Sequence, residues 1–479
     1  MTDLKVTEEV GDAAELDLAR YIRPGALVAW GQGCAEPLTL TEALAGQRQR
    51  LGGVRCFSGI STTAAVRPEH CDHLSFSSYT AAGANRALSE AGLLGIVPCH
   101  YSQLPDILGR GPLRADVLLL ALPPAGPDGT FGLGLAADYL APLIGRAGTV
   151  IAEVNDQVPD AGGDRRLDRG AIDVLVHTSR PPAEYPPKPA SDVDKAIAEH
   201  VAGLVPDVGG DRRLSRGEID VLVRTSRPPA EYPGKPASDL DIAIAEHVAG
   251  LVPDGATLQV GIGSLPAVVL RHLRGHRDLG VHSGMITDEI AELIEAGVVT
   301  GARKGTDRGL TVTGLLLGTS TLIKRAAVDK SIQLRDTRYT HDQAVLAAQH
   351  ALVAVNSAIE VDLTGQANVE VAAGRYVGGT GGAADFLRGA ARSAGGVPVI
   401  ALPSTAGRSA ALPSTTGTAS RIVARLSGPA GLSRADAGVI VTEYGVADLR
   451  GLSLARRRER MIAIAHPDHR AALGAAAAD

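Results

Sequence analysis

The stretch LQVGIGSLPAVVLRHLRGHRDLGVHSGM, residues 258–285, is the part of the chain that decides the fold. It predicts a strand, a Gly261-Ile262-Gly263 loop, an apolar helix and a second strand that ends at His282-Ser283-Gly284. A strand that passes through glycines into a helix start presents unpaired backbone N–H groups, which suit an anion. The second strand would bring a short polar turn beside that loop. We therefore expect the chemistry of the protein to take place there.

The size and composition of the chain favour a two-domain α/β enzyme. Its 479 residues exceed one ordinary domain. Hydrophobic residues make up 45% and aromatic residues only 3%, so Ala, Val, Leu and Ile must form the cores. Short apolar runs separated by many of the 57 glycines and 28 prolines are typical of an α/β fold with tight loops.

Charge and cysteine content argue against several classes of protein. A net charge of −6 with scattered arginines provides no basic surface for nucleic acid. The acidic N-terminus has no apolar core, so we expect no signal peptide, and no stretch is apolar enough for a membrane helix. The four cysteines are irregularly spaced, which suits a reduced, cytoplasmic protein.

Residues 160–206 and 207–253 form a tandem repeat in which 40 of 47 positions are identical. Each copy contains a strand-like run, IDVLVHTS or IDVLVRTS, and a helix start signal at Ser191 or Ser238. Solenoids need three or more copies to bury their faces. We interpret the repeat as a tandem duplication that overlaps the linker between two domains.

The N-terminal half repeats the plan of the C-terminal half. The segment ALVAWGQGCAEPLTLTEAL predicts a strand, a Gly31-Gln32-Gly33 loop and an apolar helix. One Gly-X-Gly is weak evidence, because tight strand–helix turns use glycine for steric reasons alone. Two in matching contexts suggest related α/β halves. The apolar runs 115–125 and 148–155 are typical of buried parallel strands.

A second glycine-rich segment, GRYVGGTGGAADFLRGA at 374–390, precedes a predicted helix. The run Gly378-Gly379-Thr380-Gly381-Gly382 admits a backbone or ligand approach that any Cβ atom would block. A flexible surface loop is the alternative explanation. The Gly261–Leu265 loop, whose N–H groups suit a phosphate, is the first candidate for contact with a ligand, and this segment is the second.

These segments resemble the acetyl-CoA hydrolase/transferase family, a branch of the CoA-transferases. The resemblance extends over nearly the whole chain and includes NSAIEVDLTGQAN (356–368), VIVTEYGVADLRG (439–451) and VPCHYSQLPDIL (97–108). It implies two related CoA-transferase-like α/β domains with mainly parallel sheets and an active site at their interface. We expect the N-terminal domain over 1–237 and the C-terminal domain over 238–479.

The resemblance also implies the ligand and the residues that hold it. Acyl-CoA and a small carboxylate would be the substrates, and no cofactor or metal would be permanently bound. The protein would form a homo-oligomer, a dimer, and would bind neither nucleic acid nor membrane. The expected CoA contacts lie in the two glycine loops and at the end of the second strand: Gly261, Ile262, Gly263, Ser264, Leu265, His282, Ser283, Gly378, Gly379, Gly381 and Gly382.

The catalytic position departs from the family pattern. In the family a glutamate carboxylate after His-Ser attacks the acyl-CoA thioester, whereas this chain has Gly284 there. Three possibilities follow. Asp288 or Glu289 in the next helix could substitute, water could attack the thioester directly, or the protein could bind CoA as a catalytically impaired paralogue.

Two other kinds of site are less well supported by the sequence. The cluster His70-Cys71-Asp72-His73, with Cys99-His100, has zinc-ligand residue types but no common zinc spacing, so core and surface roles are favoured. A dinucleotide-binding Gly-X-Gly-X-X-Gly fingerprint fails because Pro266 occupies the third glycine position.

Overall fold

The computed structural model describes residues 8–10, 15–161 except 62 and 64, 166–171, 174–177, 214–216, 221–225, 238–406 and 419–476. The chain divides into two compact units, each discontinuous in sequence. The first comprises Met1–Ser77, Pro105–Pro233 and Gly314–Asp336; the second comprises Ser78–Leu104, Gly234–Thr313 and Thr337–Asp479. The division of the chain into domains at residues 237 and 238 stays a prediction.

The described strands are short and mostly buried. In chain order they are β1 Glu8–Val10, β2 Leu27–Trp30, β3 Val54–Ser58, β4 Leu74–Ser78, β5 Leu94–Ile96, β6 Val117–Leu122, β7 Thr130–Phe131, β8 Thr149–Asn155, β9 Arg166–Ala171, β10 Val174–His177, β11 Leu214–Arg216, β12 Val221–Thr225, β13 Thr257–Val260, β14 Gly280–Ser283, β15 Thr311–Thr313, β16 Ile332–Leu334, β17 Leu352–Asn356, β18 Glu360–Asp362, β19 Ala367–Asn368, β20 Val371–Ala372, β21 Arg375–Tyr376, β22 Val397–Ala401, β23 Thr405–Ala406, β24 Ala419–Ser420, β25 Ile422–Val423, β26 Val439–Thr442 and β27 Gly445–Asp448.

The described helices alternate with these strands in both units. In chain order they are α1 Leu38–Gln47, α2 Asn85–Glu90, α3 Leu104–Gly109, α4 Asp239–Ala249, α5 Ser264–His272, α6 Asp288–Glu295, α7 Ser320–Val328, α8 Thr337–Thr340, α9 Gln343–Ala347, α10 Ala383–Arg392, α11 Leu454–Ala463 and α12 Pro467–Ala476.

The first unit is built on a parallel sheet in which strands follow the order β8-β6-β2-β3-β4. The apolar runs 115–125 and 148–155 were predicted to be buried parallel strands, and β6 and β8 confirm this prediction. Their side chains are buried at nearly every position, as expected of strands covered on both faces. Strand β2 leads through Gly31 and Gly33 towards α1, as the sequence predicts.

The two copies of the tandem repeat pair with the same strand of the first unit. Val154 of β8 pairs with His177 in the first copy and with Arg224 in the second, which are equivalent positions 47 residues apart. The other edge of β8 is taken by β6, where Leu122 faces Val154. The two repeat strands also pair with each other in parallel, Val174 opposite Val221, and both pair with β1.

The second unit contains another parallel sheet, in the order β15-β14-β13-β17-β22-β26, and β27 adds to its edge as an antiparallel strand. Both units therefore confirm a mixed α/β fold with mainly parallel sheets. The helix predicted after Ser238 is also present: the Ser238 hydroxyl accepts a hydrogen bond of 3.2 Å from the Asp241 amide at the start of α4. Its counterpart after Ser191 lies outside the described residues.

No helix in the described part of the chain has the length and apolar character needed to cross a membrane.

Candidate functional site

The turn after β13 has the predicted strand–glycine–helix form. Gly261 donates its amide proton to the Val355 carbonyl at 3.0 Å, so this N–H is engaged in the protein. Gly263 has a φ of +122°, which favours glycine, and directly precedes α5. The first intrahelical hydrogen bond runs from Ala267 to the Gly263 carbonyl, so the amides of Ser264 and Leu265 lie in the first turn, where helices bind anions.

Strand β14 ends beside this turn. It is the parallel neighbour of β13, with Leu258 facing Val281, so both strands end at the same edge of the sheet. Ser283 is the last residue of β14, and Gly284 follows it in a half-buried position. The half-exposed residues Gly261, Ile262, Gly263 and Ser264 complete the same edge. This arrangement agrees with the turn expected from the sequence.

His282, two residues before Gly284, is fully buried. Its Nε2 lies 3.2 Å from the Thr340 carbonyl oxygen, and its Nδ1 lies 3.3 Å from the amide nitrogen of the Gln349 side chain. A carbonyl oxygen can only accept and an amide nitrogen can only donate, so the ring proton is on Nε2. Burial, with the nearby Lys304 charge, lowers the pKa of His282 to about 3. The ring is therefore neutral and bonded on both sides within the protein.

Gly284 lies directly against a second buried histidine. A Cβ atom at position 284 would come within 3.0 Å of His341 Cε1, 3.1 Å of His341 Nε2 and 3.5 Å of Phe386 Cε2. The His341 ring packs between Tyr101, with centroids 4.9 Å apart, and Phe386, with centroids 4.6 Å apart. Its Nδ1 is 2.8 Å from the Thr340 hydroxyl oxygen. Burial lowers the pKa of His341 to about 3, so this imidazole is also neutral.

The glycine loop 378–382 contacts the same histidine. A Cβ atom at Gly382 would lie 2.6 Å from His341 Nε2, and one at Gly379 would collide with the carbonyl oxygen of Tyr79. A Cβ atom at Gly378 would collide in the same way with the Val369 carbonyl oxygen. Tyr101 donates its amide proton to the Gly381 carbonyl at 2.9 Å. The loop is thus a fixed part of the second unit and needs glycine for close backbone approach.

The helix after this loop, α10, anchors it through charged residues. The Asp385 carboxylate accepts hydrogen bonds from the Ser102 hydroxyl at 2.9 Å and from the Ser102 amide at 3.3 Å. Arg388 makes a two-pronged ion pair with Asp436 at 3.0 and 2.8 Å. Asp385 and Arg388 thus each have a partner within the protein, Ser102 and Asp436. Their role in this segment is to hold the glycine loop in place.

Asp288 and Glu289, the two candidate substitutes for the missing glutamate, form the first turn of α6. Glu289 accepts a hydrogen bond of 2.7 Å from the Thr287 hydroxyl and pairs with Arg271 at 3.2 Å. The three atoms nearest to a Cβ at Gly284 belong to His341 and Phe386. Either carboxylate as a nucleophile stays a prediction.

Sequence reasoning missed the aromatic cluster of Tyr101, His341 and Phe386. His341 lies in the segment RDTRYTHDQA, which has no recognisable motif, and 57 residues separate it from Gly284. The hydrogen bond between His282 and the Thr340 carbonyl, the contact of the His282 and Tyr339 rings and the closeness of His341 to Gly284 show that this segment packs against the end of β14. No pattern in a single sequence could have indicated that contact.

The described residues contain no group of three or more histidine, cysteine, aspartate or glutamate side chains arranged to hold a metal ion. In the first unit, Asp72 pairs with Arg48 at 2.7 Å, and the His70 ring accepts a hydrogen bond of 3.2 Å from the Arg67 amide. Both side chains thus have ordinary roles at the protein surface.

Two family models match the chain. The acetyl-CoA hydrolase/transferase N-terminal domain matches residues 7–181, and the C-terminal domain of the same family matches residues 318–477. A 4-hydroxybutyrate coenzyme A transferase from Clostridium kluyveri is 30% identical over 453 residues, 93% of this chain and 92% of that protein. A butyryl-CoA:acetate CoA-transferase from Anaerostipes caccae is 29% identical over 467 residues, 95% of this chain and 93% of that protein.

Solved structures agree with these matches. RipA from Yersinia pestis superposes with a TM-score of 0.81 at 29% identity, covering 99% of this chain and 98% of that one. A 4-hydroxybutyrate CoA-transferase from Porphyromonas gingivalis superposes with a TM-score of 0.72 at 28% identity, covering 98% and 96%. An acetyl-CoA hydrolase from Saccharomyces cerevisiae is 28% identical over 223 residues, 45% of this chain and 39% of that protein.

Proposed function

The chain belongs to the acetyl-CoA hydrolase/transferase family, and on that premise we propose that it hydrolyses short acyl-CoA thioesters such as acetyl-CoA. Family membership supports CoA transfer or hydrolysis in general. The observation that favours hydrolysis is Gly284, which has no carboxylate where the family nucleophile would stand. Without a nucleophile no acyl-enzyme anhydride can form, so the acyl group has to pass directly to water.

The proposed CoA site consists of the two glycine loops and the end of β14. The amides of Ser264 and Leu265 in the first turn of α5 suit a phosphate group of CoA. The loop Gly378–Gly382 would bring its backbone close to the thioester, because it has no Cβ atom at four of its five positions. Ser283 and Gly284 would border the reacting carbonyl, and the buried ring of His282 would hold the end of β14 in place.

Release of free CoA tests this proposal. Purified protein is incubated with acetyl-CoA, and the thiol is followed with a colorimetric reagent, with and without short carboxylates such as butyrate, propionate and succinate. The acyl-CoA products are then separated by chromatography. Thiol release without an acceptor supports hydrolysis. New acyl-CoA formed only with an acceptor would instead support CoA transfer and would require another nucleophile, for which Asp288 and Glu289 are the first candidates.

A second candidate function is CoA binding without turnover. The lost carboxylate favours it, as does the ion pair that already engages Glu289 with Arg271 at 3.2 Å. Calorimetric titration with CoA separates the two functions: heat of binding from a protein that releases no thiol and forms no new acyl-CoA would support the binder. The homodimer and the cytoplasmic location also stay predictions.

A further inference from the structure

We propose that an apolar cavity beside Ser283 binds the end of a short acyl chain, and that Ile290 in its wall sets the chain length that the protein accepts. This inference rests on the proposed function and names the acyl group that the candidate site takes. Three observations carry it: the place of the cavity in the sheet, the nature of its walls, and its size.

The cavity lies at the edge of the sheet where the candidate site is found. Gly261, in the turn after β13, and Ser283, at the end of β14, both border it. Ligands of parallel α/β sheets bind at this edge, outside the carboxyl ends of the strands. The rim residues Gly261, Met285 and Thr287 are half-exposed, whereas most of the other residues around the cavity are buried. The cavity therefore opens at the rim that it shares with the proposed CoA site.

The end of β14 has two different sides, because successive side chains in a strand point to opposite faces of the sheet. On one face, His282 contacts Thr340 and Gln349. On the other face, Ser283 borders the cavity, which helices α5 and α6 cover. Ser283 is smaller than Val281, the preceding residue on the same face. The sheet therefore leaves space at the end of this strand.

The walls of the cavity are almost entirely apolar. The strands, the two helices and the turn after β14 line it with Leu258, Val260, Leu270, Val281, Met285 and Ile290. The hydroxyl groups at the cavity have partners in the protein: the Ser283 oxygen accepts from the Met285 amide at 3.4 Å, and Thr287 donates to Glu289 at 2.7 Å. A water molecule would find few hydrogen-bond partners there, whereas a hydrocarbon group needs none.

The size of the cavity matches the end of a short acyl chain. Its volume is about 10 Å³, which is room for one group about as large as water or a methyl group. With the thioester carbonyl at Ser283 and Gly284, the methyl group of acetyl-CoA would enter this space. A longer chain would have to push buried side chains apart, and overpacking of a core is unfavourable. We therefore expect an acetyl group to be preferred over a pentanoyl group.

Ile290 allows the size of the cavity to be changed without touching the residues that border the reacting carbonyl. It lies in α6, is 3% exposed and borders the cavity. Ile290→Ala removes three carbon atoms and should admit a chain three carbons longer. Leu293→Ala is the matched control, because Leu293 is a buried residue of the same helix but is not one of those that line the cavity. Ile290→Val removes one carbon atom and serves as the milder variant if the alanine variant does not fold.

Binding of two uncleavable analogues tests the proposal. S-ethyl-CoA and S-pentyl-CoA are thioethers that differ by three carbon atoms, and calorimetric titration measures the Kd of each. We expect the parent protein and Leu293→Ala to bind S-ethyl-CoA about 10–200-fold more tightly than S-pentyl-CoA. Ile290→Ala should reduce this ratio about tenfold or more, and Ile290→Val by a smaller factor. Equal Kd values in the parent protein, or a parental ratio in both Ile290 variants, would overturn the proposal.

This measurement is independent of turnover, because thioethers are neither hydrolysed nor used for CoA transfer. A preference that depends on Ile290 in a protein without thiol release would support the acyl cavity and refute hydrolysis alone. Thiol release from acetyl-CoA by a protein without such a preference would refute the acyl cavity and leave the proposed hydrolysis standing.

Discussion

The imidazole of His341 lies over the Cα atom of Gly284, at a distance that leaves little room for a side chain. A Cβ atom at position 284 would be 3.0 Å from the nearest ring carbon, so the ring would have to move by a few tenths of an ångström to admit any other residue. The His341 ring can therefore occupy its present place only because residue 284 has no side chain.

Replacing Gly284 by glutamate is expected to create or strengthen CoA transfer, because the carboxylate would return to the position of the family nucleophile. The measurement is the formation of butyryl-CoA from acetyl-CoA and butyrate. Gly284→Ala is the matched control, since it introduces the same Cβ contact with His341 but no carboxylate. An unchanged transfer rate in correctly folded Gly284→Glu would contradict the prediction.

The glycine loop should be sensitive to a single methyl group. Gly379→Ala is expected to lower the free energy of unfolding by about 1–3 kcal/mol, because its Cβ would collide with the backbone carbonyl of Tyr79, which cannot rotate away. Gly46→Ala, at an open position in the last turn of α1, should instead stabilise the protein by about 0.5–1 kcal/mol. Urea denaturation of both variants measures the two effects, and equal midpoints would argue against a fixed loop.

Stability should fall in mild acid because of the two buried histidines. The pKa values of His282 and His341 are lowered from 6.5 to about 3 in the folded state. Between these values the unfolded chain binds protons that the folded protein does not. Each ring therefore lowers the free energy of unfolding by about 1.4 kcal/mol per pH unit as the pH falls from 6.5 towards 3.

Urea midpoints at several pH values between 7.5 and 4.5 test this dependence. His341→Gln should show a shallower loss of stability than the parent protein, whatever its stability at pH 7.5, because glutamine does not titrate. His276→Gln serves as the control, because this half-buried histidine bonds the Val252 carbonyl through Nε2 at 3.0 Å and lies outside the candidate site. If His341→Gln and the parent protein lose stability in parallel, the ring is not held neutral.

Removal of either copy of the repeat should leave the fold intact. Deleting 160–206 leaves the second copy to pair with β8, and deleting 207–253 leaves the first. We expect the two single-copy proteins to be soluble, with free energies of unfolding within about 1 kcal/mol of each other. Deletion of 160–253 removes both strands from the first unit and α4 from the second, and should destabilise both units strongly. Insolubility of both single-copy proteins would contradict the prediction.

The sequence predicted the strands and helices around the site well because their signals are local. Strand β13, the Gly263 turn and α5 follow from an apolar run, a glycine with positive φ and a second apolar run within sixteen contiguous residues, 257–272. The parallel sheets followed from apolar runs such as β6 and β8. In contrast, the contact of His341 with Gly284 depends on how α8 packs against β14, and that packing leaves no periodic signal.

The repeat shows a different limit of sequence reasoning. Its strand-like runs and its capped helix were correctly predicted, because strand propensity and the Ser238 cap are local properties. Pairing of both copies with one residue, Val154, could not be predicted, since register in a parallel sheet depends on distant strands.

Equivalent residues of the two repeat copies, His177 and Arg224, pair with the same residue of β8, Val154. If one strand loses its pairing, the chain therefore still contains an equivalent strand. We expect Val176→Pro alone to be tolerated better than Val176→Pro combined with Val223→Pro, because proline removes a backbone donor from only one of the two strands in the single variant. The duplication thus makes the strand beside β8 redundant.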